Sequence, residues 1–232
     1  MSTRPFVLLS VAVSIDGYID DASAERLLLS NAADFDRVDQ VRAESDAILI
    51  GAGTIRSDNP RLIVKSEVRQ AQRTASGRPS TPLKITVTAS GSLDPASNFW
   101  HHGTSEQPPV IYTTDDGAKK ASTLLGDLAE VVSLGETVDF GAVLDDLGAR
   151  AVGCLMVEGG SQILTEFLAA GLVDELQIAI GPTLVGDSAA PRFLNPATFP
   201  GGSTHRMRLL EVTSIGDVAL LRYQPSKESS SD

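Results

Sequence analysis

The sequence predicts an α/β protein with a mostly parallel sheet and an antiparallel strand or hairpin at its C-terminal end. Three observations carry this. Short runs rich in Val, Leu and Ile are apolar throughout, as strands covered on both faces are. They alternate with segments whose apolar residues recur at helical spacing, the pattern of strands joined by crossover helices. The chain then closes on two strand-like runs, Met207 to Val212 and Val218 to Tyr223, around Ile215-Gly216-Asp217.

Composition bounds the rest. The 232 residues are 42% hydrophobic and 21% charged, the profile of a folded globular protein able to bury a core without disulfides. We expect a single domain over 1–225 and a disordered tail over 226–232. The lone cysteine, Cys154, can form neither an internal disulfide nor a thiolate cluster, which fits a reducing, cytoplasmic setting. Nineteen Lys and Arg against thirty Asp and Glu give a net charge of −11, which disfavours nucleic acid as a partner. No run approaches the roughly 20 apolar residues of a membrane-spanning helix, and Phe6 to Val13 is too short and too soon followed by Asp16 for a signal peptide.

In order, Phe6 to Val13 reads as a central strand ending at an Asp16-Gly17 turn. Phe35, Val38 and Val41 mark an amphipathic helix over Asn31 to Ser45, followed by a buried strand over Asp46 to Gly51. A Gly-flanked turn comes next, and the polar stretch Ser66 to Pro82 reads as an exposed loop with a short helix. Leu83 to Ala89 alternates as a strand. Pro109 to Thr113 and Glu130 to Leu134 read as strands, and Gly117 to Leu125 and Phe140 to Ala149 as helices. Gly153 to Val157 is a buried strand, Glu158-Gly159-Gly160 a turn, Ser161 to Ala170 a helix ending at Gly171, and Asp174 to Ile180 a strand. The irregular stretch from Gly181 to Gly202 is long for a loop.

Two constellations could carry chemistry. Glu158-Gly159-Gly160-Ser161 joins the C-terminal end of a buried strand to a helix N-terminus. Glycines there let a ligand approach the backbone, and the free N–H groups attract phosphate. The same turn suits a plain solvated N-cap, and it is no GxGxxG fingerprint. The second is Ile50 to Lys65, where Arg56, Arg61 and Lys65, with Arg42, concentrate positive charge suited to a phosphorylated ligand. Glu44, Asp46 and Asp58 could equally balance them. His101-His102 has no third ligand at metal spacing and reads as surface, and Cys154 as core packing.

Three blocks together resemble one family: Val11-Ala-Val-Ser14-Ile15-Asp16-Gly17, then Arg42 to Gly51 running through Asn59-Pro60-Arg61-Leu62, then Met156-Val-Glu158-Gly159-Gly160 with Leu172-Val-Asp174-Glu175. The chain resembles, over residues 6 to 223, the pyrimidine reductase domain of riboflavin biosynthesis, in the dihydrofolate-reductase-like superfamily. That resemblance implies a three-layer fold, usually dimeric, that uses NADPH to reduce a ribosylaminopyrimidine 5′-phosphate to its ribitylamino product. It implies cofactor contacts from Val13, Thr54, Asp58 and the run Gly159, Gly160, Ser161, Gln162, Ile163, Leu164 and Thr165. Ser10, Arg42, Arg61, Leu62, Lys65 and Glu158 match substrate-binding positions, and Glu158 is the candidate catalytic acid. No metal is implied.

The chain departs from the family pattern at three positions. Ser10 stands where many members have Lys or Asn, Asn59 replaces the second Asp of Asp-Asp-Pro, and Lys65 stands at a commonly arginine position and so lacks bidentate geometry. The zinc deaminase motif of bifunctional relatives is absent from this sequence. A dihydrofolate or other pteridine reductase, or a non-catalytic nucleotide-binding paralogue, is the alternative reading.

Overall fold

The computed structural model describes residues 3–23 and 27–225; the tail expected over 226–232 lies outside them. Its nine strands are mostly parallel, with antiparallel strands at the C-terminal end, and seven α-helices accompany them among the described residues. Two compact units divide the chain, residues 1–5 with 38–156, and 6–37 with 157–232. Helix α1 (Ala32–Glu44) and strand β6 (Cys154–Gly159) each have residues in both.

The first unit holds β2 (Ala47–Gly51), β3 (Leu83–Thr88), β4 (Val110–Thr113) and β5 (Glu130–Ser133), parallel and neighbouring in that order. Its helices are α2 (Ala52–Asp58), α3 (Glu67–Ala75), α4 (Asn98–His101), α5 (Asp115–Leu125) and α6 (Phe140–Ala149). Ile48, Ile50, Ile55, Leu62, Ile111 and Met156 gather round Phe99 and Trp100, whose rings meet edge to face at 4.7 Å. Four expectations need correction here. No turn follows β2: Gly51 is itself the N-cap of α2, so Gly53 lies within a helix. Ser66 to Pro82 does hold the expected short helix, α3, but is not exposed throughout: Arg73 is 1% exposed and donates to the carbonyls of Pro79, Ala43 and Ser45 at 2.7–2.8 Å. The alternation in β3 does not mark an exposed face: Lys84, Thr86 and Thr88 are buried, because the strand is covered on both sides. Cys154 begins β6 and is half-buried, with its Sγ 4.0 Å from the Ser45 hydroxyl, rather than lying in mid-strand packing.

The second unit holds β1 (Phe6–Val13), β7 (Glu175–Ile180), β9 (Val218–Gln224) and β8 (Arg208–Ile215), neighbouring in that order. β1 pairs parallel with β7 from Leu8 opposite Glu175 to Val13 opposite Ile180, while β9 runs antiparallel to both its neighbours. A polar chain runs through this sheet: Arg37 donates to Gln177, Gln177 to Glu175, and Arg222 forks onto Glu175. The irregular residues 181–202 are tied down at both ends. Asp16 accepts from the amides of Val185 and Gly186 (2.7 Å for Gly186), and Thr165 Oγ1 accepts from that of Asn195 at 2.8 Å.

Candidate active site

Among the helices of eight or more residues, α7 (Ser161–Ala169) is set apart at its N-terminus. Side-chain oxygens cap α1, α3, α5 and α6, from Asn31, Ser66, Thr114 and Asp139 respectively. α7 starts instead from Gly160, with no side-chain cap. The amides of Ser161, Gln162 and Ile163 therefore have no partner within the helix and carry the positive end of its dipole. The backbone before it is extreme, with Gly159 at φ +139° and Gly160 at φ +81°, ψ 133°, conformations that side-chain-bearing residues rarely adopt. Space is open where a Gly159 Cβ would stand, although the residue itself is buried.

The sequence placed Glu158 and Gly159 in a turn; both are strand residues, and the change of direction falls on Gly160. Glu158 is half-buried near the C-terminal end of β6. Ser161 and Gln162 form the accessible first turn, whereas Ile163, Leu164 and Thr165 are buried on the face turned inward. The Ser161 hydroxyl donates to the Arg192 carbonyl and that of Thr165 to the Ser161 carbonyl, so both help position the helix start. Val13 closes β1 as a 4% exposed residue, its carbonyl taken by the Gly181 amide at 2.8 Å. Ser10, 7% exposed, lies opposite Gln177.

The first unit carries the basic constellation. Thr54 lies half-buried on α2 and Asp58 exposed at its end, its Oδ1 accepting from the Ser57 hydroxyl at 2.5 Å. Asn59 then takes the left-handed conformation at φ +43°, and Leu62 does so at φ +49°. Asn59 suits that place: Asn tolerates positive φ, and its Oδ1 accepts from Ser97 Oγ at 2.9 Å and Asn98 N at 2.7 Å. Leu62 is strained at such a φ, and its side chain joins the core, so the backbone is what it offers a ligand. Arg61 and Lys65 are exposed; Arg42 is half-buried and donates to the Ile63 carbonyl at 3.3 Å. Asp39 holds the Lys65 and Ser66 amides at 2.5 and 3.2 Å.

Lys84 went unnoticed in the sequence, although a lone lysine in an otherwise apolar and threonine-rich strand is a signal. It is 2% exposed, and its Nζ donates to the carbonyls of Arg61 (2.6 Å), Phe99 (2.9 Å) and His102. Burial, with Arg42 nearby, lowers its pKa to about 7. Helix α4, bearing Phe99 and Trp100, was also missed, being a single turn. His101, its last residue, is exposed, and among the described residues no group of three His, Cys, Asp or Glu is placed to hold a metal ion.

The profile of the RibD C-terminal domain matches residues 5–221, nearly the whole chain. The chain belongs to this family. A relative from Archaeoglobus fulgidus is named 2,5-diamino-6-ribosylamino-4(3H)-pyrimidinone 5′-phosphate reductase and is 32% identical, across 92% of this chain and 95% of its own. A protein of the same name from Aquifex aeolicus is 32% identical across 84% of this chain and 85% of its own. Among solved structures, a pyrimidine reductase-like protein from Corynebacterium diphtheriae superposes with a TM-score of 0.81 at 23% identity, covering 97% of this chain and 93% of that one. That likeness shows the fold shared by this RibD C-terminal domain chain. No helix among its described residues is long and apolar enough to cross a membrane.

Proposed function

We propose that this chain reduces 2,5-diamino-6-ribosylamino-4(3H)-pyrimidinone 5′-phosphate, the substrate in its relatives' names, to the ribitylamino product with NADPH. The uncapped N-terminus of α7 carries the reading: three free amides behind two glycines fit a diphosphate, which a plain N-cap does not require. Gly159, Gly160 and Ser161 to Thr165 would hold the cofactor, with Val13, Thr54 and Asp58 toward its nicotinamide. When bound, that ring would supply the hydride, and the acceptor would be the sugar C1′ of the ring-opened imine. The residues that hold the two ligands would have to bring the donor and acceptor carbons within reach of each other. A proton must reach the former imine nitrogen, and the half-buried, acidic Glu158 would be its donor, directly or through water. Arg61 and Lys65 meet the 5′-phosphate, with Arg42 and the Leu62 backbone beside them. Ser10 would face the substrate without adding charge.

A homodimer is part of the proposal. β8 is the end of its sheet, bonded to β9 alone, and Leu209, Leu210 and Val212 on it are 50%, 39% and 61% exposed. An apolar edge of this kind invites pairing with a second copy. A cytoplasmic setting fits the single thiol. Following NADPH absorbance against ribosylaminopyrimidine phosphates and dihydrofolate tests the activity: oxidation with the former supports it, and oxidation with dihydrofolate alone overturns it.

A further inference from the structure

We propose that Lys84 is a positioning residue for Arg61: by gripping the carbonyls of Arg61, Phe99 and His102 it fixes the backbone from which the Arg61 guanidinium meets the substrate's 5′-phosphate. This rests on the substrate role given to Arg61 above. The three carbonyls come from two separate stretches of chain, residues 59–65 and the end of α4, and an ammonium has one N–H for each. The Phe99 ring, its centroid 5.2 Å from Nζ, covers the group further.

The segment so held is one that needs holding. Left-handed Asn59 and Leu62 lie on either side of Arg61, and strained backbone persists only where its surroundings over-determine it. Asn59 is fixed by Ser97 and Asn98, Ile63 by Arg42, and Lys65 by Asp39, leaving Lys84 as the tie on Arg61 itself. A leucine or methionine would fill the same space on β3 without the cost of burying a charge, a cost visible in the depressed pKa. The cation is explained if its hydrogen bonds hold the site. Arg73 provides the contrast: it grips three carbonyls just as closely, but those of Pro79, Ala43 and Ser45, outside the segment.

Lys84→Met in the full chain is the test, with Arg73→Met beside it. Lys84→Met is expected to raise KM for the phosphorylated substrate about tenfold, the loss of one charge-assisted contact, with kcat changed less than about threefold. The dephosphorylated nucleoside is expected to keep its kcat/KM, and amide exchange over residues 61–65 to accelerate. Arg73→Met is expected to lower Tm without moving either KM. An unchanged KM, or equal loss on both substrates, overturns the assignment. If Lys84→Met does not fold, Lys84→Gln, which retains two N–H donors, is judged by the same readouts. If the wild-type chain fails to reduce the phosphate, the functional reading falls, and exchange over 61–65 alone decides whether Lys84 fixes that segment.

Discussion

Gly160→Ala separates a ligand seat from a merely structural turn. At φ +81° and ψ 133°, Gly160 lies outside even the left-handed well that asparagine tolerates. Holding an alanine there costs about 1–3 kcal/mol. In a chain of this size that is a fall in Tm of roughly 2–12 °C. The strain is relieved if the peptide between Gly160 and Ser161 rotates, which turns an amide away from the diphosphate. Losing one charge-assisted hydrogen bond of about 1.5–3 kcal/mol weakens NADPH by roughly ten- to hundredfold. Fluorescence titration of NADPH and a thermal melt read the two effects. Gly171→Ala is the control: Gly171 is also left-handed, at φ +65°, but follows the other end of α7, with Pro200 Cγ 3.5 Å from the added Cβ. It is expected to lower Tm and leave the NADPH Kd unchanged. A Gly160→Ala protein that melts earlier yet binds NADPH within about twofold of wild type would refute the reasoning.

Lys65→Ala is expected to weaken the phosphorylated substrate about tenfold while sparing its dephosphorylated analogue; equal losses in steady-state kinetics would count against the phosphate assignment. Arg73→Met should cost about 3 kcal/mol by stranding three buried carbonyls, a Tm lower by roughly 6–12 °C in calorimetry. The Ser14 hydroxyl, then the Val185 and Gly186 amides, hold the Asp16 carboxyl down at about 2, from an ordinary 3.8. Its depressed folded pKa means that its tie to residues 185–186 is complete above pH 3.8 and is lost as pH falls through about 2. Protection of the Val185 and Gly186 amides, taken relative to their intrinsic exchange rates at each pH, should fall across that window and hold steady above it.

Strands were most legible where burial is complete and the run continuous. Phe6–Val13 was read to the residue, and β7 and the closing hairpin were each placed within a few residues. Where the reading failed, tertiary context overrode local pattern. The alternation of Leu83 to Thr88 is that of a half-exposed strand, but Lys84 turns inward because backbone carbonyls brought from outside the strand satisfy it. Arg73 looks like any arginine in a polar stretch until Ala43, Ser45 and Pro79 supply acceptors. Gly51-Ala-Gly53 suggested a turn because glycine disfavours helix, yet the helix starts there at once. Of the site, the glycine corner and the cations of residues 56–65 were visible in composition and spacing. The left-handed backbone at Asn59 and Leu62, and the grip of Lys84, were not, since they depend on which distant groups are brought within reach.

Backbone amide shifts during a titration of isotope-labelled protein with NADP⁺ test the central claim most directly. The account expects the largest changes at Ser161, Gln162 and Ile163. Saturation with those three amides unmoved, or no binding at all, would contradict it.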